Sequence, residues 1–159
     1  MRKKFGLAGI VIKGAPKAKE VVTKAAAKAA EKIKKINIKD IATFTGVFKK
    51  QMKALKSLNN EKKDKISIVF GCGGERDIKK RSSMARVVRS MCAKIYVTDD
   101  NPRNENPKKI RNQIIKHLKG CNYFDIGSRS KAIKEAVTKA DPNEIILVAG
   151  KGHEIYQDY

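Results

Sequence analysis

The chain has few cysteines, few acidic residues and no long apolar run, and each shortage closes off a class of protein. Its three cysteines, Cys72, Cys92 and Cys121, are odd in number and none stands in a CxxC pair. That argues against a disulfide framework and a cysteine zinc site, and fits reduced thiols in a cytoplasmic setting. No stretch approaches the ~20 apolar residues that a membrane span needs. The opening MRKKFGLAGIVIKGAPKA has the basic start and apolar run of a secretory signal, but Lys13 cuts that run to about eight residues, at the short end for such a segment. Nor does G-x-x-x-x-G-K-[ST] occur anywhere, so the sequence shows no phosphate loop for a nucleoside triphosphate.

The scarcity of acid is uneven. Against 37 Lys and Arg stand 16 Asp and Glu, a formal net charge of +21 in 159 residues. That length suits one ordinary domain with an appendage rather than two full domains. Residues 1–60 hold 16 of the basic residues and 3 of the acidic ones. Most of the basic excess per residue therefore belongs to the N-terminal part. FGLAGIVIKGAP reads as a short strand ended by Gly14 and Pro16. KAKEVVTKAAAKAAEKIKKI is rich in helix formers with apolar residues three and four apart, a helix with a wide basic face. A second helical segment, VFKKQMKALKSL, gathers Val47, Met52, Leu55 and Leu58 near one face. A solvated helix face is the ordinary meaning of such charge, and a basic nucleic-acid or surface-binding protein is the alternative.

From Ile66 the character changes. ISIVF, AKIYVTD, NYFDIG and EIILVAG are short apolar runs rich in β-branched and aromatic residues. Between them lie IKKRSSMARVVRSMC, NPKKIRNQIIKHLKG and SRSKAIKEAVTKA, with helical spacing. This alternation predicts an α/β fold, a Rossmann-like, mostly parallel sheet flanked by helices, with strands buried on both faces. The expected organisation is a basic helical extension over 1–60 and this domain over 61–159. In such sheets ligands bind beyond the carboxyl ends of the strands, so the loop after each run is the place to look.

After ISIVF comes GCGGERD, whose glycines permit a tight turn and a close approach to backbone amides, with Lys79, Lys80 and Arg81 beyond it as candidate anion contacts. After AKIYV comes TDDNPR. Pro102 stiffens this loop, and Asp100 and Asn101 can bond to nearby amides. None of that explains Arg103, which on a stiff loop suits bidentate recognition of a carboxylate or phosphate. After EIILVAG comes GKGHE, where Glu154 can pair with an ammonium group and His153 reads as a hydrogen-bonding structural histidine. An arginine and a glutamate in one polar pocket suit a zwitterionic ligand.

The runs VFGCGGERDIKKRSSM, VTDDNPRNENP and ILVAGKGHEIYQ, in this order, resemble the C-terminal domain of the Mur ligase family, in its UDP-N-acetylmuramoyl-tripeptide ligase branch. The resemblance covers roughly Ile66 to Gln157 and is most specific in DNPR together with GKGHE. In that family DNPR marks enzymes that add meso-diaminopimelate, while relatives that add lysine lack its arginine. The resemblance implies that Arg103 and Asn101 recognise the distal carboxylate, that Asp100 helps to hold the loop, and that Arg81 is a second carboxylate contact. Gly150, through its carbonyl, and Glu154 would take the distal ammonium.

Some positions depart from the family pattern. Glu75 replaces an aspartate and Ser82 a proline, and FTGVFKKQMKALKSL stands where an Asp-Tyr-Ala-His-Thr-Pro motif is expected. The family's substrate-nucleotide and central ATPase domains, with the latter's ATP and magnesium, have no counterpart in this sequence. The chain is thus expected to be a piece of a diaminopimelate-adding ligase that keeps the recognition pocket, with no cofactor of its own. One half of a split ligase, with a separate chain carrying the ATPase part as partner, is an alternative.

Overall fold

The computed structural model describes residues 3–4, 10–13, 53, 66–75, 78–142, 144–150 and 156–157. The helices expected over 17–36 and 47–58 lie outside these, apart from Lys53, which is helical and exposed. His153 and Glu154 also lie outside. The strand expected in FGLAGIVIKGAP is present as β2, Ile10–Lys13, after a two-residue β1, Lys3–Lys4.

The alternating part of the sequence gives β3 (Ile66–Phe70), α1 (Lys79–Met91), β4 (Lys94–Val97), α2 (Pro107–Ile115), β5 (Asn122–Asp125), α3 (Arg129–Thr138) and β6 (Glu144–Val148). β7, Tyr156–Gln157, pairs with β1. The main sheet has the order β2-β6-β3-β4-β5. Its last four strands are mutually parallel, and β2 closes one edge antiparallel to β6, with Ile10 opposite Leu147. A segment from within residues 1–60 therefore shares a sheet with the α/β part. The α/β, mostly parallel, helix-flanked class is the one the alternation predicts.

Handedness sets the layers. From β3 the chain steps to β4 and β5 in one direction, and right-handed crossovers place α1 and α2 on one face. It then returns past β3 to β6, so the same rule puts α3 on the other face. Strand alternation agrees: Ile66, Ile68, Phe70, Ile95, Val97, Ile145 and Leu147 pack with Met84, Ala85, Val88, Ile110 and Ile114 of α1 and α2. Their neighbours Val69, Tyr96, Ile146 and Val148 pack with Ala132 and Ala136 of α3. Each fully buried aliphatic side chain contributes about 1.5–3 kcal/mol to these layers. The edge strand β5 departs from the expectation of two buried faces. Tyr123 is 39% exposed, and Phe124 is half-buried, stacked on Tyr96 with centroids 4.7 Å apart.

The reversal after β5 makes β3 and β6 neighbours, with the helix that follows β3 on one face of the sheet and the helix that precedes β6 on the other. That is a topological switch point, where an open α/β sheet leaves a crevice. At the opposite ends of the same strands, Glu144 is 1% exposed and accepts from the Ser67 hydroxyl, from Lys94 Nζ at 2.9 Å and from the Asp141 amide at 2.7 Å. Lys94 also reaches Asp141 at 2.7 Å and the Lys139 carbonyl at 2.9 Å. Burial pulls the Lys94 ammonium down, but its bonds to Asp141 and Glu144 prevail and hold it above its usual range. One buried carboxylate thus ties β3, β4 and β6 together.

Candidate binding site at the carboxyl edge of the sheet

Four loops meet beyond the carboxyl ends of β3, β4, β5 and β6. The first two are zipped together. Gly74 donates its amide to the Asn101 carbonyl at 2.8 Å, and a side chain at Gly74 would put its Cβ 1.9 Å from the Pro102 carbonyl oxygen. Glycine is thus required because the loop carrying DNPR lies directly on the loop carrying GCGG. The contact continues through Asn104, which donates to Glu75 at 2.5 Å, and through the Glu75 amide, which donates to Glu105 at 2.6 Å.

Arg103 stands at this seam. Its φ is 52°, in the left-handed region that costs an L-residue about 1–2 kcal/mol. Its Nη1 donates to the Gly74 carbonyl at 2.8 Å and, at 3.4 Å, to that of Asn101. Its Nε and Nη2 have no partner among the described residues. One corner of the guanidinium is held by backbone, and the two-nitrogen edge that matches a carboxylate is left available.

The two aspartates before it do different work. Asp99 faces Arg111, which also bonds Asp125 at 2.5 Å, and its amide donates to the Gly127 carbonyl at 3.1 Å. Burial pushes the Asp99 carboxyl up against the pull of Arg111. Asp100 accepts its neighbour Asn101's amide at 2.9 Å, which fits the expected loop-holding role. Its other oxygen lies 3.3 Å from where a Cβ on Gly150 would sit. Gly150 has φ 118° and follows β6, so glycine serves both the conformation and the approach. The structure therefore brings Asp100, Asn101, Arg103 and Gly150 to one edge, as the sequence suggested. Glu154 lies outside the described residues.

Arg81 occupies a different place from the one expected of a ligand contact. It is 1% exposed. Nη1 bonds Glu105 at 2.9 Å and Gln113 at 2.6 Å; Nη2 bonds Glu105 at 2.8 Å and the Gly73 carbonyl at 3.1 Å. Those bonds, followed by the Glu75 amide, bring the Glu105 carboxyl down to about 2. Cys72 behind the same loop is pushed up to about 12, by burial first and then by Asp100, so its thiol is inert.

Sequence reasoning passed over three residues here: Glu105, Arg111 and Arg129. Arg129 is 2% exposed, gives Nη2 to the Ala149 carbonyl at 2.7 Å, and has both terminal nitrogens within 4 Å of the Cβ position on Gly150. A signal for it existed. Arg129 opens α3, where the helix dipole disfavours a cation, so an arginine there calls for a tertiary reason.

The family model for the Mur ligase, glutamate ligase domain matches residues 38–152. The chain belongs to the Mur ligase family. Curated relatives of this Mur ligase domain bear the name UDP-N-acetylmuramoyl-L-alanyl-D-glutamate--2,6-diaminopimelate ligase. The one from Rickettsia bellii is 42% identical over 128 residues, covering 80% of this chain and 27% of its own. That from Rickettsia montanensis is 49% identical over 107 residues, 66% and 22% of the two chains. The Buchnera aphidicola protein is 45% identical over 122 residues, 74% and 23%. A solved structure of a ligase with the same name superposes with a TM-score of 0.65 at 33% identity, over 74% of this chain and 24% of that one. The chain spans about a quarter of the length of the curated relatives it matches.

Proposed function

We propose that the carboxyl-edge pocket binds meso-diaminopimelate, and that the chain is the amino-acid-recognition part of a UDP-N-acetylmuramoyl-L-alanyl-D-glutamate:2,6-diaminopimelate ligase, serving peptidoglycan precursor synthesis in the cytoplasm. The observation that carries this reading is Arg103, fixed through Nη1 to backbone carbonyls with Nε and Nη2 left for a carboxylate. The names of the relatives supply the ligand class.

Meso-diaminopimelate carries an amino and a carboxyl group at each end, whereas lysine has only an amine at its distal end. In this reading Arg103 and the Asn101 side chain take the distal carboxylate. Asp100 fixes the loop through the Asn101 amide, and the Gly150 carbonyl with Glu154 accepts the distal ammonium. Arg81 is assigned behind the pocket wall because its guanidinium is buried and committed to Glu105. Selectivity follows from desolvation: lysine in this pocket would leave the Arg103 guanidinium without its carboxylate, a loss worth about 1.5–3 kcal/mol.

The chain's part in amide-bond formation is to bind and orient the amino acid so that its reacting amine points away from the sheet edge. Among the described residues no group of three His, Cys, Asp or Glu side chains could hold a metal ion. In this reading the ATP and magnesium chemistry belongs to the ATPase part, which a separate chain would supply.

Calorimetric titration of the purified chain with meso-diaminopimelate, with lysine, and with ATP plus magnesium tests the reading. Only the first should bind. Arg103→Ala should weaken it by about 10- to 100-fold while barely changing the response to lysine. Equal small effects on both amino acids would overturn the assignment.

A further inference from the structure

We infer that Glu105 is a positioning residue that sets carboxylate selectivity by fixing the seam on which Arg103 stands; this rests on the pocket reading above. Its carboxylate and its amide act on two different turns. The carboxylate accepts the Glu75 amide at 2.6 Å, which pins the GCGG loop where Glu75 adopts φ 51°. The Glu105 amide donates to the Pro102 carbonyl at 3.0 Å, which closes the turn where Arg103 adopts φ 52°. Both left-handed L-residues of the described chain are therefore held by one residue. Such conformations persist only where their surroundings over-determine them.

The acceptor of the Arg103 Nη1 bond is the carbonyl of Gly74, immediately before the pinned Glu75. Shifting that peptide would move the shorter of the two described anchors of the guanidinium. Arg81 supplies the counter-force from behind. Both of its terminal nitrogens bond Glu105, so the carboxylate is clamped on the buried side and aimed at the seam. The pair also explains the charge of this corner. Glu105, held down to about 2, stays ionised at working pH and balances the buried Arg81. The guanidinium edge of Arg103 that its Nη1 bonds leave available then serves a ligand carboxylate.

A conserved shape with altered charge is the appropriate probe. Glu105→Gln keeps the side-chain length but gives up the charge-assisted clamp. In the full chain it should weaken meso-diaminopimelate binding about tenfold, leave the lysine response unchanged, and act non-additively with Arg103→Lys. The double variant should be little worse than Arg103→Lys alone, because Glu105 acts on the ligand mainly through that arginine. A purely structural role would instead add its loss to both ligands and to the double variant, and would overturn the inference.

A ligand-free readout separates this outcome from failure of the pocket reading. Amide hydrogen exchange at Gly74, whose own bond runs to Asn101, should speed up at least about tenfold in Glu105→Gln, while Val69 and Tyr96 in the sheet stay protected. If wild type binds no diaminopimelate but Gly74 exchange rises in this way, the pocket reading fails and the seam stands. If Gly74 protection is unchanged, Glu105 does not fix the seam.

Discussion

At the amino ends of the strands, Glu144 is 1% exposed, with Ser67, Lys94 and the Asp141 amide around it. At the carboxyl ends, Arg103 is half-buried and ties two carbonyls through one nitrogen, leaving Nε and Nη2 without a described partner. The first end turns its charges on one another and joins three strands. The second end pairs Arg81 with Glu105 and Arg111 with Asp99 and Asp125, yet keeps one guanidinium edge uncommitted on a left-handed residue. The same sheet thus has a closing end, where charge serves stability, and an end with a strained residue and an open donor edge, which the proposed function assigns to a ligand.

The strongest way to break this contrast is Glu144→Ala. Removing one partner of a buried ion pair leaves Lys94 under-compensated and should cost about 3 kcal/mol, read as a lower urea midpoint. The diaminopimelate-over-lysine preference of chains still folded should not move. A changed preference would mean that the two ends are coupled.

Next in size is Gly74→Ala, which works at the carboxyl end. The added Cβ would lie 1.9 Å from the Pro102 carbonyl oxygen, so the seam must part, at a cost of about 1–3 kcal/mol. Here stability and ligand selectivity should fall together.

Arg103→Gly sharpens the comparison further because the two properties should separate. Glycine adopts φ 52° without the Cβ clash, so the chain should become more stable by up to about 1 kcal/mol while discrimination between the two amino acids is lost. A destabilised Arg103→Gly would show that the Nη1 bonds outweigh the strain.

The smallest effect is in acid. The folded pKa of Glu105, about 2, lies below its ordinary value of 4.5. Its contribution is therefore complete above about pH 4.5 and lost as pH falls toward 2. Asp99 works the other way: its raised folded value means that its contribution is present below its ordinary 3.8 and is lost as pH rises through the folded pKa. Urea midpoints measured from pH 6 to 2.5 should decline less steeply in Glu105→Gln than in wild type.

Much of this was legible from local pattern. The switch from period 3.6 to short β-branched runs located β3 to β6 and the three helices between them, and strand-end glycines marked the loops that converge. Arg103 stood out because it lies in a stiff loop after an apolar run, where a parallel sheet places its ligands, whereas Asn101 and Gly150 were named as ligand contacts only by the family resemblance. Asp99 and Asp100 are adjacent in sequence, yet one faces Arg111 on α2 and the other lies beside Gly150, a division no spacing rule reveals. Arg81 looked like an anion contact because it sits near a helix start, and only packing shows it buried against Glu105.

The sequence by itself determined the class of fold, and it pointed to the sheet edge and the zwitterionic ligand class that the proposed function takes up. These depend on periodicity, on glycine and proline conformations and on charge type, all of which are local. Only the tertiary structure decided which cations are committed and which is held open. That choice depends on partners 12 to 32 residues away in the chain, brought within 3 Å by a fold that returns past its own first strand.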